Sequence, residues 1–165
     1  MVGHGLRLQD GRCAVKRICT GQFVVEWVAK QTNDFGNFGS AAGIGVQKWD
    51  PVWKSWKMLA GVAYAQFNGP NVVCHIAAEG KNWATRHYLW MIFDYPFNQL
   101  KVKRITVEVG EGNLPSRRFV EHLGFEQEAR LEGAHPTGDL LIYRMRKPQA
   151  ERWLTLRDSH EKLAA

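Results

Sequence analysis

Asn113-Leu-Pro-Ser-Arg-Arg-Phe-Val-Glu-His-Leu-Gly-Phe125 is the stretch on which the fold turns. Pro115 suits the first turn of a helix, where its missing N–H is not needed. Phe119, Val120 and Leu123 give that helix a buried face. Gly124 is a natural C-terminal cap, because glycine enters left-handed backbone without strain. Directly upstream, residues 104–109 (RITVEV) alternate and are rich in β-branched side chains, which predicts a strand.

Further upstream, residues 85–100 place Tyr88, Leu89, Ile92, Phe93 and Phe97 on one face. They predict a helix of about four turns that Pro96 bends or ends. Three strand candidates precede it, residues 41–49, 57–67 and 72–79, separated by the turn signals Asp50-Pro51 and Asn68-Gly-Pro-Asn71. They predict an antiparallel meander. Residues 22–30 carry Phe23, Val24, Trp27 and Val28 at helical spacing, and residues 33–39 (NDFGNFG) read as a loop. Downstream, residues 125–131 and 139–145 predict a final strand pair around a loop at 133–138. A polar helix over residues 150–163 closes the chain. The predicted order is helix, three strands, helix, strand, helix, two strands. Residues 72–109 then form a strand–helix–strand crossover, whose strands run parallel. The loop at 80–84 ends a strand and opens a helix, where free N–H groups and the helix dipole suit a pyrophosphate.

Length and composition bound the rest. The chain has 165 residues, 45% of them hydrophobic, which supports one domain over residues 1–165 with its core at residues 23–147. No apolar run approaches the roughly 20 residues of a membrane span, so no membrane partner is expected. Residues 1–11 lack the apolar region of a signal peptide. Cys13, Cys19 and Cys74 are odd in number and form no C-x-x-C pair, which fits a reducing cytoplasm. The formal charge of +6 favours anionic partners, although its scattered distribution equally fits a solvated surface. Six histidines show no ligand spacing, so no metal site is expected. Gly80-Lys81 lacks the rest of a P-loop, and neither G-x-S-x-G nor H-E-x-x-H occurs. Trp49, Trp53 and Trp56 surround the Asp50-Pro51 turn, where they either cover a sheet edge or wall a pocket.

The 113–125 stretch resembles the "N-x-x-S … L-G-F" helix of the GNAT superfamily of acetyltransferases, and it follows a strand as in that family. The run Phe93-Asp-Tyr-Pro-Phe97 is similar to the "D-Y-A-F" sequence of the ribosomal-protein N-terminal acetyltransferase branch. Over residues 23–147 the chain most resembles small acetyltransferases carried by phages and prophages. The resemblance implies an α/β fold: a mixed, mostly antiparallel twisted sheet with flanking helices, whose fourth and fifth strands, a central parallel pair, splay apart. It implies acetyl-CoA as cofactor. The pantetheine arm lies in the split, bonded to strand backbone at Ile76, Ala77 and Ala78. The pyrophosphate rests on the loop made here by Lys81, Asn82, Trp83, Ala84, Thr85 and Arg86. Asn113, Ser116 and Arg117, opening the next helix, face the cofactor.

Two positions depart from the family. Its usual loop, Q/R-x-x-G-x-G/A, is replaced by Gly80-Lys-Asn-Trp-Ala-Thr-Arg86, with bulky Trp83 where a small residue is expected. Its thiolate-protonating Tyr is replaced by Val120, leaving Ser116, water or no dedicated acid. For the base, His75 and Glu79 share a strand face, and Glu108 sits on the neighbouring strand. Histidine's ordinary pKa suits proton removal from an amine. Each of the three also reads as a satisfied polar residue of a half-buried strand. The expected function is direct transfer of acetyl from acetyl-CoA to an amine on a small molecule, peptide, protein N-terminus or lysine. The alternatives are an acyl-CoA-binding module without catalysis and a nucleic-acid-directed protein. A nucleic-acid partner is compatible with the charge but not favoured, and a homodimer is compatible with the sequence.

Overall fold

The computed structural model describes residues 15–32, 38–80 and 82–155. Alternation sets the strands: β1 (Lys16–Thr20), β2 (Ala42–Asp50), β3 (Ser55–Ala65), β4 (Asn71–Ala78), β5 (Arg104–Gly110), β6 (Glu126–His135) and β7 (Gly138–Arg146). Helical periodicity sets α1 (Gln22–Thr32), α2 (Arg86–Asp94), α3 (Leu114–Leu123) and α4 (Lys147–Leu154). The strands form one seven-stranded mixed sheet in the order β1-β2-β3-β4-β5-β7-β6. Every neighbouring pair is antiparallel except β4 and β5. This is the expected α/β architecture, with the meander and the parallel crossover where periodicity placed them.

The sheet buries a separate cluster on each face. Ala63, Ala65 and Ala77 meet Val24, Val25 and Val28 of α1 together with Phe38. On the other face Val62, Tyr64, Val72, Cys74, Ile105, Val107 and Val109 pack with α2, and with Val120 and Leu123 of α3. Tyr88 is fully buried there, and its hydroxyl donates to the Ile44 carbonyl at 2.9 Å, tying α2 under β2. The Tyr64 hydroxyl does the same from β3, donating to the Ile92 carbonyl at 2.7 Å.

Several elements differ from expectation. β1 precedes α1 and was not predicted: KRICT is a short edge strand with Ile18 its main inward apolar anchor, too brief for a period-two signal. The helix over 85–100 ends its α-helical part at Asp94, and Tyr95–Gln99 continue as a π-helical turn. Pro96 has no N–H to give, so the wider turn absorbs it. The expected loop at 133–138 narrows to the turn at 136–137, because β6 runs on to His135 with its register shifted between Leu131 and His135. α4 starts at Lys147, three residues earlier than predicted, with Pro148 in its first turn; residues 156–163 of the predicted closing helix, and 33–37 of the NDFGNFG loop, lie outside the described residues. Of the three tryptophans, Trp49 and Trp56 pair across β2 and β3, half-buried, while Trp53 in the turn is 72% exposed.

α1 approaches the sheet closely at Gly61: a Cβ there would lie 2.8 Å from Val28 Cγ2 and 3.0 Å from Val24 Cγ1. Gly61→Ala is therefore expected to cost about 1–3 kcal/mol in urea unfolding as α1 is pushed off the sheet. Gly112→Ala, with open space around it, serves as the control and should unfold within about 1 kcal/mol of the wild type.

Candidate functional site

The site begins where the sheet stops being a sheet. The β4–β5 ladder consists of Asn71↔Arg104, Val72↔Ile105 and Val73↔Thr106. At its base the Thr106 hydroxyl donates to Asn71 Oδ1 at 2.7 Å, and Arg104 donates to Thr106 Oγ1. Beyond these pairs β4 continues to Ala78 along β3, and β5 continues to Gly110 along β7. Two strands that diverge leave main-chain N–H and C=O groups facing a gap, and such groups demand partners. A narrow extended amide chain is one guest whose own N–H and C=O groups would match them.

Ile76, Ala77 and Ala78 border this gap. Ile76 turns toward the α2 face and Ala77 toward α1. His75 and Glu79 share the α1 face with Ala77. The His75 ring stacks on Phe38, with centroids 4.2 Å apart. The Glu79 carboxylate accepts from Gln31 Nε2 of α1 at 2.7 Å. On β5, Ile105, Val107 and Val109 face the α2 side, so Glu108 lies on the α1 side and is exposed. The last ladder pair, Val73↔Thr106, lies two residues before His75 on one strand and two before Glu108 on the other, and beyond it the strands part. His75 and Glu108 thus border the gap on the same face of the sheet from its two strands, with Glu79 farther out past the end of β4.

The loop into α2 turns sharply. Gly80 and Asn82 both have left-handed backbone, φ 80° and 64°, which glycine adopts freely and asparagine tolerates. Lys81 lies outside the described residues. Thr85 caps α2, its hydroxyl accepting from Tyr88 N at 3.3 Å. Its own N–H goes to the Trp83 carbonyl at 2.8 Å. The following first-turn amides, of Arg86 and His87, have no intrahelical acceptor and point out of the helix with the positive end of its dipole. Arg86 is exposed beside them, as is Ala84. Trp83 is half-buried, with its ring 5.1 Å from Phe119 of α3 and 6.0 Å from Tyr88, so it closes the seam between α2 and α3.

At the start of α3, Asn113 is the N-cap: its Oδ1 accepts from Ser116 N at 3.2 Å. Ser116 is half-buried. Arg117 Nη1 donates to the Glu111 carbonyl at 3.1 Å, which ties the β5–α3 turn to the helix. Val120, in the place of the family's acid, is buried in the core. Burial raises the Cys19 thiol to about 11 and the Cys74 thiol well above its ordinary value, so neither offers a thiolate at neutral pH.

One residue at the mouth escaped the sequence reading. The His135 ring lies flat over Gly110, so near that a Cβ on Gly110 would be 2.7 Å from its Cε1 and Nε2. Its Nδ1 accepts from Thr137 N at 3.3 Å, which leaves the neutral ring's proton on Nε2. Only the folded β6–β7 hairpin brings it there.

No protein-family model matches the chain, and no curated protein matches it in sequence. Solved structures match it in fold. The spermidine/spermine N-acetyltransferase from Vibrio cholerae in complex with manganese ions aligns with a TM-score of 0.60 and 14% identity, covering 83% of this chain and 94% of that one. A point mutant of Vibrio cholerae spermidine N-acetyltransferase aligns with a TM-score of 0.62 and 14% identity, over 84% and 96%. A dodecameric form of that enzyme in an intermediate state gives 0.54 and 19%, over 75% and 72%. Likeness at such identity establishes the fold: the chain has a GNAT-like acetyltransferase fold.

Capping by Asn113 carries a stability consequence independent of ligand. Asn113→Ala is expected to lose about 1 kcal/mol and to lower Tm by about 2–4 °C in a calorimetric scan. Asn113→Asp, which keeps the acceptor, should melt near the wild type.

Proposed function

We propose that this protein transfers an acetyl group from acetyl-CoA to an amine by direct attack. The observation that carries the reading is the β4–β5 ladder, which stops after three pairs and opens a gap lined by strand backbone. The fold match to N-acetyltransferases supports it, as does the absence of a usable thiolate at Cys19 or Cys74 for an acyl-enzyme route. The residues present fit the donor. The free edge of β4 at Ile76 to Ala78 suits the pantetheine amides. The first-turn amides of α2, with Arg86 and Lys81, suit the pyrophosphate. Asn82, Trp83, Ala84 and Thr85 shape that loop, and Asn113, Ser116 and Arg117 open α3, whose Phe119 packs on Trp83. Acetyl-CoA supplies an activated thioester when bound.

The protein's own groups then do three things. A β4 backbone N–H at Ala77 or Ala78 donates to the carbonyl oxygen as it gains charge. His75 or Glu108, on the α1 face of the two strands that border the gap, removes the proton of the incoming amine. Glu79 and Glu108 give that face two carboxylates that attract a cationic amine. The neighbours' names make polyamines one acceptor class to test, beside peptide N-termini and lysines. The Phe93–Phe97 run supports a place among phage-encoded and ribosomal-protein-type members. One cytoplasmic domain spanning residues 1–165 is part of the same proposal. Among the described residues no helix is long and apolar enough to cross a membrane.

Isothermal titration with acetyl-CoA tests the donor: binding is expected, weakened about tenfold by Arg86→Ala through a lost phosphate contact. No heat at millimolar ligand would show instead that Trp83 and Phe119 seal the seam and that the chain is a degenerate relative.

With an acceptor found in an amine panel, kcat/KM should fall at low pH. That limb should shift or vanish in His75→Ala or Glu108→Gln at fixed donor occupancy. If it stays in both, neither residue is the base, and Glu79→Gln is the variant to compare next.

A further inference from the structure

Three lysines stand in line across the sheet's first three strands. Lys16 of β1 is directly opposite Lys48 of β2, and Lys48 is directly opposite Lys57 of β3. Directly opposed residues of neighbouring strands share a face, with Cβ atoms about 4.5–5.5 Å apart, and like charges so placed destabilise the pairing. Asp50 offsets one of the three, 2.7 Å from Lys57 Nζ. Lys16 Nζ donates to the Asn82 carbonyl at 2.7 Å, so the row abuts the loop that leads into α2. The row also lies on the same side of the sheet as α2. Lys16 and Lys48 each stand two residues from Ile18 and Val46 on their strands, hence on the same face, and both of those pack in the α2-side cluster. A self-repelling row beside an anion-binding helix start is an arrangement that a bound anion stabilises.

We infer that Lys16, Lys48 and Lys57 hold the 3′-phosphate at the nucleotide end of the acyl donor. This rests on the acetyl-CoA reading and adds a binding site to it. The amides of α2 and Arg86 account for the pyrophosphate. The 3′-phosphate is the anionic group that remains, and a phosphate monoester carries nearly two charges at neutral pH. Lysines bind phosphate as point charges without demanding one geometry, which suits a row of flexible stems.

The test compares coenzyme A with 3′-dephospho-coenzyme A by titration calorimetry, at low and at moderate salt. The proteins are the wild type and the triple variant Lys16→Gln, Lys48→Gln, Lys57→Gln. The wild type should prefer coenzyme A by about tenfold, a preference that salt erodes. The triple variant should bind the two ligands alike, with dephospho-coenzyme A affinity within about twofold of wild type. Its Tm at low salt should equal or exceed that of the wild type, since the mutual repulsion is gone. Should the triple variant fold poorly, Lys48→Gln alone should still lower the preference. The inference is overturned if the wild type binds both ligands equally, if the triple variant keeps the preference, or if it weakens both by the same factor. A wild type that binds neither ligand overturns the acetyl-CoA reading and this inference together. Binding without discrimination overturns the inference alone.

Discussion

Everything at the site depends on one limit: β4 and β5 pair for three residues and then part. Each strand is committed along its other edge, β4 to β3 and β5 to β7, so neither can follow the other. The base of the pair is pinned by the Thr106–Asn71 hydrogen bond, and Arg104 holds Thr106 from the side while binding Glu128 in turn. Below that pin the sheet is continuous. Above it, main-chain groups are exposed to a slot between two well-packed walls. The slot is therefore rigid, and a guest finds its hydrogen-bonding partners already oriented.

The two faces of the sheet divide the chemistry. On one, α2 and α3 meet above the slot through Trp83 and Phe119, beside the N-terminus of α2 proposed to take the pyrophosphate. On the other, α1 leaves room for His75, Glu79 and Glu108 near the same slot. A donor entering from the first face and an amine from the second would meet between the strands without sharing a path. Alternation enforces this separation, because successive residues of β4 must point to opposite faces. Cys74 and Ile76 belong to one side, His75 and Ala77 to the other.

Much of this was legible because it is local. The turn signals at Asp50-Pro51 and Asn68-Gly-Pro-Asn71 placed the meander, and Pro115 with Gly124 placed α3 to within a residue. Thr85 before the apolar periodicity of residues 88–97 placed the start of α2, its true N-cap. What escaped was non-local. β1 has five residues and takes its strand character from the edge of β2 that it covers. The shifted register inside the β6–β7 hairpin carried strand structure into residues that read as loop. Of the base candidates, spacing put His75 and Glu79 on one face, but only the strand order, which makes β5 the neighbour of β4, sets Glu108 on the other side of the same gap. The lysine row was hidden for the same reason: Lys16, Lys48 and Lys57 are far apart in sequence and adjacent only through two registers.

The contact between Gly110 and His135 has an evolutionary meaning. With a histidine ring where a Cβ would go, no side chain is admissible at 110 until the residue at 135 becomes smaller or turns away. The reverse order is open, because losing the ring leaves the glycine intact. The two positions are therefore coupled: a larger residue at 110 requires the ring at 135 to swing aside or to be lost.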